Sequence, residues 1–462
     1  MTDPQPKRKI RFFRFSLKTF LVFVLLSGFV LGYVIPRQQR AKRESRAIQA
    51  IQSKFDMAEF HYDYQINEMQ DPAAATDVAN PTPRWIQKLL GEHTFSTIRQ
   101  IHLHHDYRPD KGNVVVNLAS ELKSFQYVES LFTGNRFADF GDLKCLAKMQ
   151  KLRQLEIDDG SNLTSLVGIE NCRKLESLLL RVTAVRSSAP LASLSRLAKA
   201  KFLYCYELTE LDALASHRNL KHLEILGLTE LKSLDFLSKC SSLENLSLCH
   251  MPQVAEFDFA LIRQNQHLST LRLGSFSQLT NLHLIAELPQ LETLKLEYLD
   301  CESGFRTVSV KSNSLKHLSL YCCHGLKFLD GIGALDNLEE LEIDWCSKLG
   351  KLEALVNLNS LKVLKIRNLS IDYLPKLERF PKLEHLEISD LHNLKDLDDL
   401  ARLKAPNLKL VTIYECPELE GLHALASLHG VEKFIFRRCS KVNPEHVALL
   451  QSRFPNARIE TR

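Results

Sequence analysis

The chain has 462 residues, 45% hydrophobic and 25% charged, an ordinary globular composition long enough for one large domain or roughly two to three average ones. That excludes a disordered chain, a collagen-like fibre and a small disulfide-stapled scaffold. The net charge is +5, but residues 1–46 hold eleven Lys/Arg against only Asp3 and Glu44, leaving 49 basic and 53 acidic residues elsewhere; the body has no global pull toward nucleic acid.

A basic tail, residues 1–16, opens the chain. Residues 17–35 follow as a candidate membrane anchor. Phe20 to Ile35 is sixteen residues without a charge, and nineteen residues from Leu17 match a hydrocarbon core of about 30 Å at about 1.5 Å per residue. Phe20, Leu21, Val22, Phe23, Val24, Leu25, Leu26, Phe29, Val30, Leu31 and Ile35 supply the apolar surface, and Lys18 can reach the headgroups. The alternative is a cleaved signal peptide. Against it, the apolar run is long and no A-x-A site follows, only Pro36 and RQQRAKRESR. Positive charges stand on both sides of the span. A short tail with six of them, Lys7 to Lys18, is difficult to export, which favours the tail inside and an extracytoplasmic body.

Residues 36–84 read as a stalk and linker. Ala47, Ile48, Ile51 and Phe55 form one stripe of a polar helix that continues the anchor, pairs with a partner helix, or simply stands as a solvated stalk. DPAAATDVANPTP (71–83) is an Ala/Pro-rich linker. The segment 85–127 is an amino-terminal cap, where a short helix after Pro83 carries Trp85, Ile86, Leu89 and Leu90 and ends at Gly91. Trp85 is expected to plug the cap.

From there the chain repeats. L-x-x-L-x-L appears as LRQLEI (152–157), LESLLL (175–180), LKHLEI (220–225), LENLSL (243–248), LSTLRL (268–273) and LETLKL (291–296). It continues as LKHLSL (315–320), LEELEI (338–343), LKVLKI (361–366) and LEHLEI (383–388), with degenerate copies LAKAKF (197–202), LKLVTI (408–413) and VEKFIF (431–436). These thirteen copies start 22 to 25 residues apart, and VESLFT (128–133) and IRQIHL (98–103) are irregular leading copies. The last two leucines of the motif are two apart and point to one side of a short strand. The following L-x-x-L-x-x-L, as at Leu231, Leu234 and Leu237, has a period of three that suits 3-10 turns. One unit cannot offset its own ordering entropy, so the units must stack into a single solenoid over residues 128–440. Asn443-Pro444-Glu445 then starts a capping helix within 441–462, where Val447, Leu450 and Phe454 cover the last repeat and ARIE (457–460) adds a strand.

This pattern resembles leucine-rich-repeat proteins over about residues 98–436. In that family an Asn or Cys follows the strand by two residues; here Cys205, Cys323, Cys346, Cys416 and Cys439 hold the position, resembling the cysteine-containing subclass. The basic tail, RFFRFSLKTFLVFVLL, the charged stalk, HYDYQ and WIQKLLGEHTF are similar to membrane-anchored leucine-rich-repeat proteins of planctomycete bacteria, over roughly residues 8–104. The resemblance implies an α/β horseshoe of about 13 short parallel strands with 3-10 or short helical return arms, beside the transmembrane helix. It also implies protein binding on the concave face.

No nucleotide-binding, nucleophile-elbow or H-E-x-x-H motif occurs. Gly331-Ile332-Gly333 fits a turn. His102, His104, His105 and Asp106, with nearby His93, are expected to be cap residues rather than metal ligands. His222, His317 and His385 lie four and three strands apart, about 19 and 14 Å, too far to share an ion. No cofactor and no metal is expected, and no catalysis.

Residues between the leucines align in columns across the strands. One column alternates in sign: Arg272, Lys295, Glu342, Lys365 and Glu387 among others. The next adds Glu297, Tyr321, Asp344, Arg367 and Tyr414, flanked by Tyr298 and Trp345. Tyr, Trp and Arg together are enriched in binding hot spots. The expected site is therefore Arg272, Lys295, Tyr298, Tyr321, Glu342, Asp344, Trp345, Lys365, Arg367 and Tyr414. A nucleic-acid reader would show a uniformly basic column. The expected function is a non-enzymatic, membrane-anchored recognition scaffold for a protein, or a glycan, on the concave face. The alternative is a substrate-recognition adaptor of a multiprotein enzyme complex, such as a ubiquitin-ligase-like receptor. Against it, no adaptor-binding helical module precedes the array.

Overall fold

The computed structural model describes residues 16–54, 57–66, 79–104, 118–134, 141–300, 314–349, 352–374, 377 and 379–461. A single helix, Leu17–Gln52, runs out of the apolar segment without a break and is long and apolar enough to cross a membrane. The Ser16 side chain caps it, accepting from the Thr19 N–H at 3.2 Å. The helix widens to π geometry over Val30–Val34, immediately before Pro36. Proline has no N–H to give and crowds the carbonyl one turn back, so the ladder slips there to the Ile35 N–H on the Val30 carbonyl.

Beyond the apolar segment this helix is not a solvated stalk. Arg40, Ala41, Glu44, Ala47 and Ile51 are buried along one stripe, three or four residues apart as one helix face requires. Arg40 Nη2 donates to the carbonyls of Ser96 (2.7 Å) and Thr94 (3.3 Å), and its Nε stands 3.7 Å from Glu44. Gln38 donates to the Leu90 carbonyl at 3.0 Å. The polar composition concealed this stripe because two of its members are a buried ion pair. Phe55 lies outside the described residues.

The next strand, Met57–Tyr62, runs antiparallel to Ile98–His104 and covers the first edge of the main sheet. Every later strand in that sheet is parallel to its predecessor. The two irregular leading copies form strands Ile98–His104 and Ser130–Thr133, the thirteen regular copies follow, and Arg458–Thr461 closes the series. Arms such as Asp212–Ser216, Asp235–Lys239 and His423–Ser427 are 3-10 turns. The Leu, Ile and Phe side chains of strands and arms form one continuous core. This is a leucine-rich-repeat solenoid.

Each of the thirteen regular strands ends in the same unusual backbone. Thirteen successive post-strand positions, Asp159 to Arg438, have φ between +49° and +73°, and twelve are not glycine. The left-handed residue turns the chain sharply into the arm while its N–H stays in the ladder: Tyr298 donates to the Tyr321 carbonyl (2.9 Å) and Trp345 to that of Arg367 (3.3 Å). The residue that follows is buried, except Cys439 at the last repeat, which is half-buried. Where it is cysteine, the thiol serves as a weak donor to strand carbonyls, as from Cys323 to Leu296 (3.3 Å) and Cys346 to Leu320 (3.8 Å).

The carboxy-terminal helix Pro444–Arg453 is capped by Asn443, which accepts from the His446 N–H. Leu450 and Phe454 are buried, Val447 is half-buried, and the Phe454 ring lies 5.1 Å from Phe434. At the other end Trp85 is no plug. It is 68% exposed on the helix Arg84–Leu90, and Leu118, Leu122 and Phe125 fill the cap core instead.

Candidate binding surface on the concave face

The outward positions of the parallel strands stand in register, so residues far apart in sequence become neighbours. Arg272 is opposite Lys295, Tyr321 opposite Asp344, Glu342 opposite Lys365, and Asp344 opposite Arg367. Tyr414 follows two strands beyond Arg367, across Ser389. All ten candidate residues therefore fall on one continuous stretch of the sheet and its rim.

Their charges are mostly satisfied within the sheet. Arg272 grips Glu297 with two hydrogen bonds of 2.8 and 2.6 Å, which raise its already high pKa. Arg367 bridges Glu342 (2.5 Å) and Glu387 (2.6 Å), and the bond to Glu387 is the main cause of its raised pKa. Lys365 donates to Glu340 (2.7 Å) and holds that carboxyl below its usual pKa. Asp344 accepts from Asn368 at 2.8 Å. These diagonal pairs are what alternating signs in a parallel sheet provide, and they leave the cations less free for a ligand than their exposure alone suggests.

The aromatic members remain available. Tyr298 is 53% exposed and Trp345 51%, both held on the left-handed turns at the sheet rim (φ 52° and 55°). The rings of Tyr298 and Tyr321 meet edge to face at 5.5 Å, and hydrogen bonds with Cys322 and then Tyr298 push the Tyr321 hydroxyl up to about 12. Arg438 covers the Tyr414 ring at 5.6 Å.

A second feature lies beside them, toward the amino-terminal end. A depression of about 440 Å³ opens over the strand Asn245–Cys249, walled by Lys199, Lys201, Arg272 and Lys295 and floored by Asn245, Ser247 and Thr270. Short side chains on this strand and at Thr270 lie between Arg272 on the adjacent strand and lysines two strands away on either side, which creates the hollow. Lys201 is paired with Glu224 at 2.5 Å; Lys199 and Lys295 are exposed and have no ion pair among the described residues. Arg272 and Lys295 are among the site residues expected from the sequence; Lys199, Lys201 and His222, which also line the depression, are not. The available signal was the degenerate copy LAKAKF, whose two lysines alternate outward. Across the next strands Glu340, Glu342 and Glu387 are paired with Lys365 and Arg367, so over this stretch the cations with no ion pair among the described residues lie at the depression.

The histidines of the cap do not extend this surface. The His102 ring packs 5.3 Å from His61 and 4.4 Å from Phe132, while His93 stacks on Tyr62 at 4.0 Å. His105, Asp106 and the side chain of His104 lie outside the described residues. His222, His317 and His385 hold equivalent positions on separate strands.

A long parallel sheet, one tight 3-10 arm per strand and a leucine core define the class as leucine-rich-repeat solenoids. Among solved structures the chain is similar to an internalin from Listeria monocytogenes, with a TM-score of 0.50 at 17% identity over 74% of this chain and 88% of the internalin. It is also similar to a leucine-rich-repeat protein from Leptospira interrogans, with a TM-score of 0.51 at 18% identity over 77% and 95% of the two chains. At these identities the likeness is one of fold. No protein-family model and no curated protein matches the chain.

Proposed function

We propose that this chain is a non-enzymatic recognition scaffold, held at a membrane by residues 17–35, that binds a protein partner on the concave face with the solenoid on the extracytoplasmic side. The observation that carries the reading is the pair of exposed aromatics, Tyr298 and Trp345, on left-handed turns beside a depression with two lysines that have no ion pair among the described residues. Rigid aromatics give contact area at small entropic cost, and aligned cations select an acidic partner surface. The anchor reading rests on the exposed apolar side chains from Phe20 to Leu31, which the described residues leave uncovered. The test is a three-residue comparison. Tyr298→Ala, Trp345→Ala and Lys295→Glu are each expected to weaken partner binding about tenfold or more while leaving the melting temperature unchanged. Retained affinity in all three would refute the concave-face reading.

A further inference from the structure

The helix Arg84–Leu90 leaves its largest apolar side chains in the open. Trp85 is 68% and Leu89 70% exposed; four residues apart, they share one helix face. Arg84 and Lys88, also exposed, flank them. The solenoid core makes no use of either side chain.

What the helix does have is a fixed place near the anchor. Its last carbonyl, Leu90, accepts from Gln38, and the residues after it are strapped to the same helix through Arg40 to Thr94 and Ser96. The Phe95 ring stacks with Tyr33 at 6.4 Å, inside the apolar segment itself. Gln38 is three residues past Ile35, where the apolar stretch ends, which is about 5 Å of helical rise. The interfacial zone on each side of a hydrocarbon core is about 5–8 Å deep. Leu90 therefore stands at headgroup depth, and Trp85 lies within the roughly 10 Å length of a seven-residue helix from it.

We propose that Arg84–Leu90 is a second membrane contact, in which Trp85 and Leu89 enter the headgroup–acyl boundary of the bilayer that holds the anchor. Arg84 and Lys88 then face lipid phosphates. The indole suits this position because its body is apolar and its N–H finds a partner at the wet boundary. The cationic side chains extend to the phosphates from apolar stems. Arg37, stacked 3.5 Å over the Tyr33 ring, carries a further cation at the same level. Two contacts, one spanning and one lying in the interface, fix how the solenoid is inclined over the membrane. This inference rests on the membrane-anchored reading above.

The chain has two tryptophans, so Trp345→Phe leaves Trp85 as the only indole reporter. The full chain is placed in nanodiscs of phosphatidylcholine and phosphatidylglycerol, with some acyl chains brominated either near the headgroup or near the chain end. Trp85 is expected to emit at blue-shifted wavelength and to be quenched about twofold or more by the shallow bromines, with a weaker effect from the deep ones. Leu89→Ser in the same background should reduce that quenching. A chain that stays in the nanodisc while Trp85 emits as in water and escapes both quenchers overturns the inference and leaves the anchor intact. A chain that does not enter the nanodisc overturns both.

Discussion

A residue in the left-handed region recurs at the end of every regular strand, and its effect depends on what its Cβ would meet. Gly168, outside that series at the start of the arm Ile169–Asn171, is the most demanding left-handed position: φ is +110° and a Cβ there would stand 2.4 Å from the Leu143 backbone. Gly168→Ala is expected to lower unfolding stability on the order of 2–3 kcal/mol. Gly333→Ala, where the added Cβ is crowded by the Asn357 side chain and meets backbone only at the Ala354 carbonyl, 3.5 Å away, should cost less, and urea midpoints of the two variants compare them directly. The buried cysteines give a second expectation at this scale. Burial pushes the thiols of Cys145 to about 11 and Cys172 to about 12, so neither is a thiolate near neutrality. Cys439 is only half-buried, and its hydrogen bond with Cys416 lowers its pKa below the usual thiol value. Maleimide at neutral pH should therefore modify Cys439 well before Cys145 or Cys172, read by peptide mass; equal rates without denaturant would contradict the packing. The cysteine column was legible in sequence as a buried position, whereas its sulfur-to-carbonyl bonds depend on a neighbouring strand. Trp85 was misplaced for a related reason. Periodicity marks an apolar face, but not the medium that covers it.

At the scale of elements, the joint between the anchor helix and the solenoid cap is the most sensitive feature. Glu44 is buried on that helix, and desolvation raises its pKa from 4.5 to about 7 against the opposing pull of Arg40 and Arg43. A carboxyl with a raised folded-state pKa favours the docked state fully below its undocked value. That contribution is lost as pH rises from about 4.5 through about 7, with a ceiling of about 3 kcal/mol. Hydrogen exchange over residues 35–52 should therefore be slower at pH 5 than at pH 8, after correction for intrinsic rates, and Glu44→Gln should flatten the difference. Arg40→Ala should speed exchange at both values, because it removes the bonds to Thr94 and Ser96 and leaves Glu44 without its cation. The sequence showed Ala47 and Ile51 as a stripe but left the covering surface open, since this helix packs on the later elements Met57–Tyr62 and Ala119–Leu122, and Arg40 is held by Thr94 and Ser96. The carboxy-terminal cap was legible because Asn443-Pro444 is a local signal. Its removal should expose Phe434 and Phe436 and bring aggregation of the last repeats, measured by light scattering.

For the whole molecule, a 23-residue rhythm of leucines was enough to give sheet, arms and core, because each repeat solves the same packing problem. The strand count grew beyond thirteen at the two ends, where capping units must depart from the motif to meet solvent. The concave columns were likewise legible, since alternation fixes which residues point outward. Which cations are spent on neighbouring carboxylates, and where short side chains leave a hollow, depend on register between strands and emerged only in three dimensions. The most direct measurement places a photo-crosslinking amino acid at Trp345 in one chain and at Ser238, on an exposed outer arm, in another, both expressed in native membranes. Recognition on the concave face predicts a discrete protein adduct from position 345 that disappears when Lys295→Glu is added, and none from position 238. Adducts of equal yield from both positions, or none from 345, would contradict it.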